Sequence, residues 1–147
     1  MIVEPERKVA RRAFERIRSA SPHLLMIQDE NPDHVDMTMS IPAQDGLVFD
    51  LELNLQNVDE LHLVAGGFWG EWFPCGKRSV EDRYVEAVSG LLSGEHRIVE
   101  RWRADRCVLA KLQSPVDDSW QTIFTFSAMS LPWPRARSVV VRNTAAT

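Results

Sequence analysis

With 147 residues, of which 44% are hydrophobic and 26% charged, the chain has an ordinary globular composition and enough length for a core that needs no disulfide or metal to staple it. Two cysteines are too few for a disulfide framework, no run approaches 18 uninterrupted apolar residues, and the N-terminus lacks a signal-peptide core, so the expected compartment is a reducing cytoplasm. A formal net charge of −4 argues against general affinity for nucleic acid.

That charge is segregated along the chain. Residues 1–20 carry net +3, residues 21–76 carry ten acidic and no basic side chains, and residues 77–147 again carry net +3. The acidic block is either a surface for a cationic partner or is balanced internally by basic flanks folded back onto it.

A first helix is expected from Pro5 to Ala20, with Pro5 suited to an early helical position and Pro22 preventing continuation. Val9, Ala13, Phe14 and Ile17 form its apolar stripe, and Arg7, Lys8, Arg11, Arg12, Arg16 and Arg18 fill the remainder. That ring reads first as a solvated or internally paired exterior. Strands follow by period two. Val35, Met37, Met39 and Ile41 alternate with polar residues, and Leu47, Phe49, Leu51, Leu53 and Leu55 alternate with Val48, Asp50, Glu52, Asn54 and Gln56. One face is therefore core and the other wet and acidic. Leu61, Leu63 and Ala65 continue as a hairpin partner.

A second helix is expected from about Ser79, read as its cap with Asp82 in a capping-box position, to the terminator Gly94. Three more strands are expected at His96–Ala104, Cys107–Gln113 and Trp120–Phe126. Val139–Val141 is a candidate edge strand within a tail, residues 127–147, that is otherwise unassigned. The fold class is α+β, a mainly antiparallel sheet with two helices in the order α-βββ-α-βββ, read as one domain over 1–147.

The run Gly66-Gly-Phe-Trp-Gly-Glu-Trp-Phe73 is the most aromatic segment. On a strand, Trp69, Glu71 and Phe73 share one face and Phe68, Gly70 and Trp72 the other, so one face cannot bury all the aromatics. One aromatic pair beside Glu71 is a candidate grip for a partner, since tryptophan is enriched at interface hot spots. The alternative is burial of one face by a helix and of the other by Leu131 or Trp133 of the tail.

Other sites carry less. Glu52 with Glu71 is a candidate carboxylate pair without a spacing that demands it. His34, His62 and His96, with Asp36, lack any recognised metal-binding pattern. Cys75 lies before the second helix, whose N-terminus would favour a thiolate, but no base is evident.

The reading is a noncatalytic protein-interaction module whose candidate binding residues are Asp50, Glu52, Trp69, Glu71 and Trp72. No catalytic residue, metal ligand or cofactor is assigned. The expected partner is a basic protein; a membrane is excluded, nucleic acid disfavoured, and a symmetric homodimer left open. Toxin-immunity proteins and secretion chaperones are small, acidic α+β accessory proteins of similar architecture, a likeness that covers no sequence motif. An alternative is a ligand binder or enzyme with a pocket formed by Trp69, Trp72 and Trp102 and a polar group from Glu71 or Glu100. A weaker alternative is nucleic-acid binding through Arg11 and Arg12.

Overall fold

Alternating leucines and methionines generate a five-stranded sheet, and two amphipathic helices cover its apolar face. A computed structural model describes residues 4–128 and 135–143. The order begins with α1 (Glu4–Ala20), β1 (Ile27–Asp29), β2 (Met37–Ile41), β3 (Leu51–Gln56), β4 (Glu60–Ala65) and β5 (Phe68–Trp72). It continues with α2 (Arg78–Ser93), β6 (Arg97–Arg103), β7 (Arg106–Val116), β8 (Ser119–Ser127) and β9 (Arg137–Val141). The first sheet runs β1-β2-β3-β4-β5 and the second β8-β7-β6-β9, with every pairing antiparallel. The class is α+β.

The element order differs from α-βββ-α-βββ. Among the described residues five strands precede α2 and four follow it. β1 has three residues, too few for a period to register, and β5 has aromatics on both faces, which hides alternation. The tail contributes β9, which pairs with β6 and includes Val139–Val141; Leu131 and Trp133 lie outside the described residues. Leu47–Asp50 precedes β3 instead of extending it. Leu47 bridges Gln44, and Asp50 accepts a hydrogen bond from the Ala43 amide at 2.6 Å, bending the segment into a turn.

α2 likewise begins differently. Its N-cap is Lys77, with no side-chain cap, so Ser79 falls inside the first turn and Asp82 instead binds Arg16 and Arg78. At the far end Gly94 adopts φ 84°, and its amide returns to the Leu91 carbonyl. That left-handed step costs glycine little.

The core lies between the first sheet and the helices. Met37, Met39, Leu51, Leu53, Leu61 and Leu63 are buried with Ala10, Phe14 and Ile17 of α1 and Tyr84, Val88 and Leu91 of α2. Each large side chain so buried contributes about 1.5–3 kcal/mol relative to exposure. A charge at the central Leu53 would therefore break the fold. Ile98, Ala110 and Leu112 bring the second sheet into the same cluster, and Phe124 of β8 meets Phe68 edge-on at 5.6 Å.

The arginine ring of α1 is internally paired. Arg7 donates to the Glu30 and Asp36 carbonyls, Arg11 binds Glu30 and Glu4, and Arg12 and Arg16 converge on Glu81 of α2. Glu81 is 0% exposed. Burial raises its carboxyl pKa, but the hydrogen bonds from Arg12 and Arg16 outweigh burial and hold it below the ordinary value. No helix is long and apolar enough to cross a membrane among the described residues.

Candidate functional site

The face of the first sheet turned away from the helices is built by the even positions of β2, β3 and β4 and the odd positions of β5. Cross-strand register aligns Ile27, Ser40, Glu52, Val64 and Trp69 in one row across all five strands. The next row contains Asp29, Thr38, Asn54, His62 and Glu71. Ile27, Val64 and Trp69 are exposed large apolar residues, so carboxylates and bare hydrocarbon share this surface.

An open groove of about 660 Å³ runs along the first row, bordered by Ile27, Pro42, Phe49, Asp50, Glu52 and Val64. Glu52 is held by the Ser40 hydroxyl, which donates at 2.6 Å. Asp50 is anchored through one carboxylate oxygen by the Ala43 amide. Both acids therefore have a fixed position beside the groove.

Trp69 and Trp72 do not form one surface. Trp69 is 38% exposed and meets Phe126 edge-on at 6.3 Å, whereas Trp72 turns inward against Tyr84 at 5.4 Å and Phe124 at 4.9 Å. Glu71 shares the outer face with Trp69. Trp102 is tied elsewhere, its indole donating to Glu100, whose other oxygen accepts the Gly67 amide. The three tryptophans thus do not converge on a common pocket. Glu52 and Glu71 are likewise kept apart by the intervening strand β4.

At one end of the acidic face Glu60, His62 and Glu71 place ligand-type atoms within 4.8 Å of one another. Their hydrogen bonding does not suit a metal. The Trp69 indole donates to His62 Nδ1 at 3.1 Å, and the Gln56 amide nitrogen approaches the same atom at 2.6 Å. An indole only donates, so Nδ1 carries the lone pair and Nε2 the proton, directed to Glu60 at 2.9 Å. A metal on Nε2 would need a proton on Nδ1 and an acceptor opposite it, the reverse of this arrangement. Hydrogen bonds from Asn57 and then His62 hold the Glu60 carboxyl below its ordinary value. His62 is 1% exposed, so the cluster works as a clasp that fixes Trp69.

The remaining candidates disperse. His34 is exposed in the segment before β2 and His96 is buried before β6, so the three histidines and Asp36 do not meet. Cys75 is buried; desolvation, then the Glu6 and Asp59 carboxylates, push its thiol up to about 11, which outweighs any help from the helix N-terminus. Its position therefore disfavours the thiolate.

Of the ten carboxylates between Arg18 and Lys77, only Glu30 pairs with a guanidinium among the described residues. Cations gather instead on the second sheet. With Ile98, Ala110 and Leu112 turned inward, alternation puts Arg97, Arg101 and Lys111 on its outer face, where Arg97 and Arg142 lie over the Trp120 ring at 4.2 and 5.1 Å. The two sheets thus expose faces of opposite sign. The sequence reading missed Ile27, Val64, Gln56 and the clasp role of His62; the period-two phase placed Val64 and His62 on the polar face, but only strand pairing set them beside Trp69.

The fold defines an α+β protein with two antiparallel sheets. Comparison with known protein families, curated proteins and solved structures returns no match.

Proposed function

We propose that the protein is a noncatalytic interaction module whose first sheet presents its outer face to a cationic protein segment. The observation that carries this reading is the groove beside Asp50 and Glu52, with apolar Ile27, Phe49 and Val64 along it and no lysine or arginine anywhere in β1–β5. An arginine or lysine of the partner would place its aliphatic stem on the apolar residues and its charge at Glu52. Unpaired surface carboxylates of one sign also accelerate encounter with a basic protein. Asp50, Glu52, Trp69 and Glu71 belong to this face, and Trp72 supports it from the core side.

The test starts with capture of partners from the host, followed by purification of the captured protein and titration against three forms of the chain. Wild type should bind with affinity that falls as salt rises. The Asp50→Asn/Glu52→Gln variant should weaken binding at least tenfold, a loss of about 1.4 kcal/mol. An Arg101→Gln/Lys111→Gln variant should bind as wild type does. Unchanged affinity in the Asp50/Glu52 variant would remove the acidic face from consideration. Loss confined to the Arg101/Lys111 variant would assign binding to the second sheet, and capture of the chain by itself alone would make the two faces a self-association surface.

A further inference from the structure

A recess on the opposite side of the molecule is independent of the acidic sheet face. It lies between the end of α1 and the C-terminal half of α2, has a volume of about 250 Å³, and is lined by Ser21, Glu86, Ser89, Gly90, Glu95 and His96 among others. His96 is 3% exposed, yet neither ring nitrogen has a hydrogen-bond partner; the buried Ser89 hydroxyl also lacks one. Buried polar atoms without partners are rare in folded proteins, and the two residues that carry these three atoms both line the recess.

The ring position of His96 depends on a missing side chain. A Cβ at position 90 would stand 2.2 Å from His96 Nδ1, so only glycine lets the imidazole lie against α2. The charged side chains lining the recess are Glu86 and Glu95; Arg142 stays outside it, donating to the neighbouring Gly94 carbonyl at 2.7 Å and lying over Trp120. Ser93 is already used, donating to the Gly90 carbonyl and accepting the Glu95 amide. Burial lowers the His96 pKa more than Glu95 and Glu86 raise it, which leaves a neutral ring with one accepting nitrogen. The recess therefore offers mainly acceptors: a ring nitrogen, a hydroxyl oxygen and two carboxylates.

We infer that this recess binds a small organic cation bearing primary ammonium groups. One ammonium donates to Ser89 Oγ and His96, and the Glu86 and Glu95 carboxylates supply the countercharge. A divalent metal fits less well, because the only three-ligand cluster among the described residues is that of Glu60, His62 and Glu71. The volume equals that of roughly eight waters, enough for a short aliphatic diamine.

Calorimetric titration of the full chain with a four-carbon diamine, at constant ionic strength, tests the assignment. The four-carbon diol, magnesium chloride and sodium chloride serve as separate arms. Saturable one-to-one binding of the diamine is expected, with a rise in melting temperature that the other three do not produce. Glu86→Gln and Glu95→Gln should each weaken binding about tenfold, without changing the melting temperature of the free protein. Absence of saturable heat at millimolar diamine, an equal response to magnesium or to the diol, or unchanged affinity in both variants would each overturn it. Because Asp50 and Glu52 take no part, their variant should bind the diamine normally, which keeps this result separate from that of the sheet face.

Discussion

The indole N–H of Trp69 points at Nδ1 of His62 across adjacent strands, 3.1 Å away, and the imidazole donates its own N–H from Nε2 to Glu60. Strand register places these residues side by side, because Val64 pairs with Trp69 and His62 with Glu71. The chain of donors holds Trp69 upright at the edge of the acidic face while leaving its ring accessible.

Replacing Trp69 by Phe retains a ring against Phe126 but removes the donor to His62. The expected cost is about 1 kcal/mol of stability, from one buried acceptor losing one partner. Nitrogen NMR of wild type should show His62 protonated at Nε2 and bare at Nδ1. Millimolar zinc should leave those resonances unmoved; a zinc-dependent shift would show that the clasp rearranges into a metal site.

Glu81 clamps α1 to α2 through Arg12 and Arg16. Glu81→Gln should cost about 2–3 kcal/mol, below the usual figure for a broken buried pair because both guanidinium groups are partly exposed. The carboxyl is held below its ordinary value in the fold, so its contribution is complete above about pH 4.3 and is lost as pH falls through the folded-state value. Urea titrations between neutral and acidic pH should show the acid loss of stability in wild type and a shallower loss in Glu81→Gln. Equal slopes would mean the clamp does not titrate as described.

The Cys75 thiol, pushed up to about 11, is almost entirely protonated at pH 8, with about one molecule in a thousand as thiolate. Alkylation mapped by mass spectrometry should be at least a hundredfold slower at Cys75 in the native protein than in denaturant. Labelling should accelerate as pH rises. Native labelling at the denatured rate would contradict its burial.

Gly90→Ala tests how tightly His96 is packed. In an exposed helix the change would gain about 1 kcal/mol, but here the new methyl meets the imidazole. A net loss of about 1–3 kcal/mol is expected, because overpacking outweighs helix propensity. A rise in melting temperature would show that His96 moves aside freely.

Much of the fold was legible because burial imposes a period. The Leu51, Leu53 and Leu55 alternation and the apolar stripe of α1 identified core faces directly, since a strand or helix covered on one side must repeat its hydrophobic residues at its own pitch. The acidic block was equally plain as a charge count. β1 was too short to carry a period, and β5 obscured its own by placing Phe68 and Trp72 inward and Trp69 outward.

What the sequence determined by itself was the α+β class, both helices, most strands and the location of the negative charge along the chain. Only the tertiary structure decided that the α1 arginines are consumed by Glu30 and Glu81, that Trp69 takes the outer face of β5 and Trp72 the inner one, and that His96 lies unpartnered against Gly90. The physical reason is range. Periodicity is a local consequence of backbone geometry, whereas ion pairs, shared faces and recesses depend on distances between residues far apart in the chain, which strand register and helix packing alone bring together.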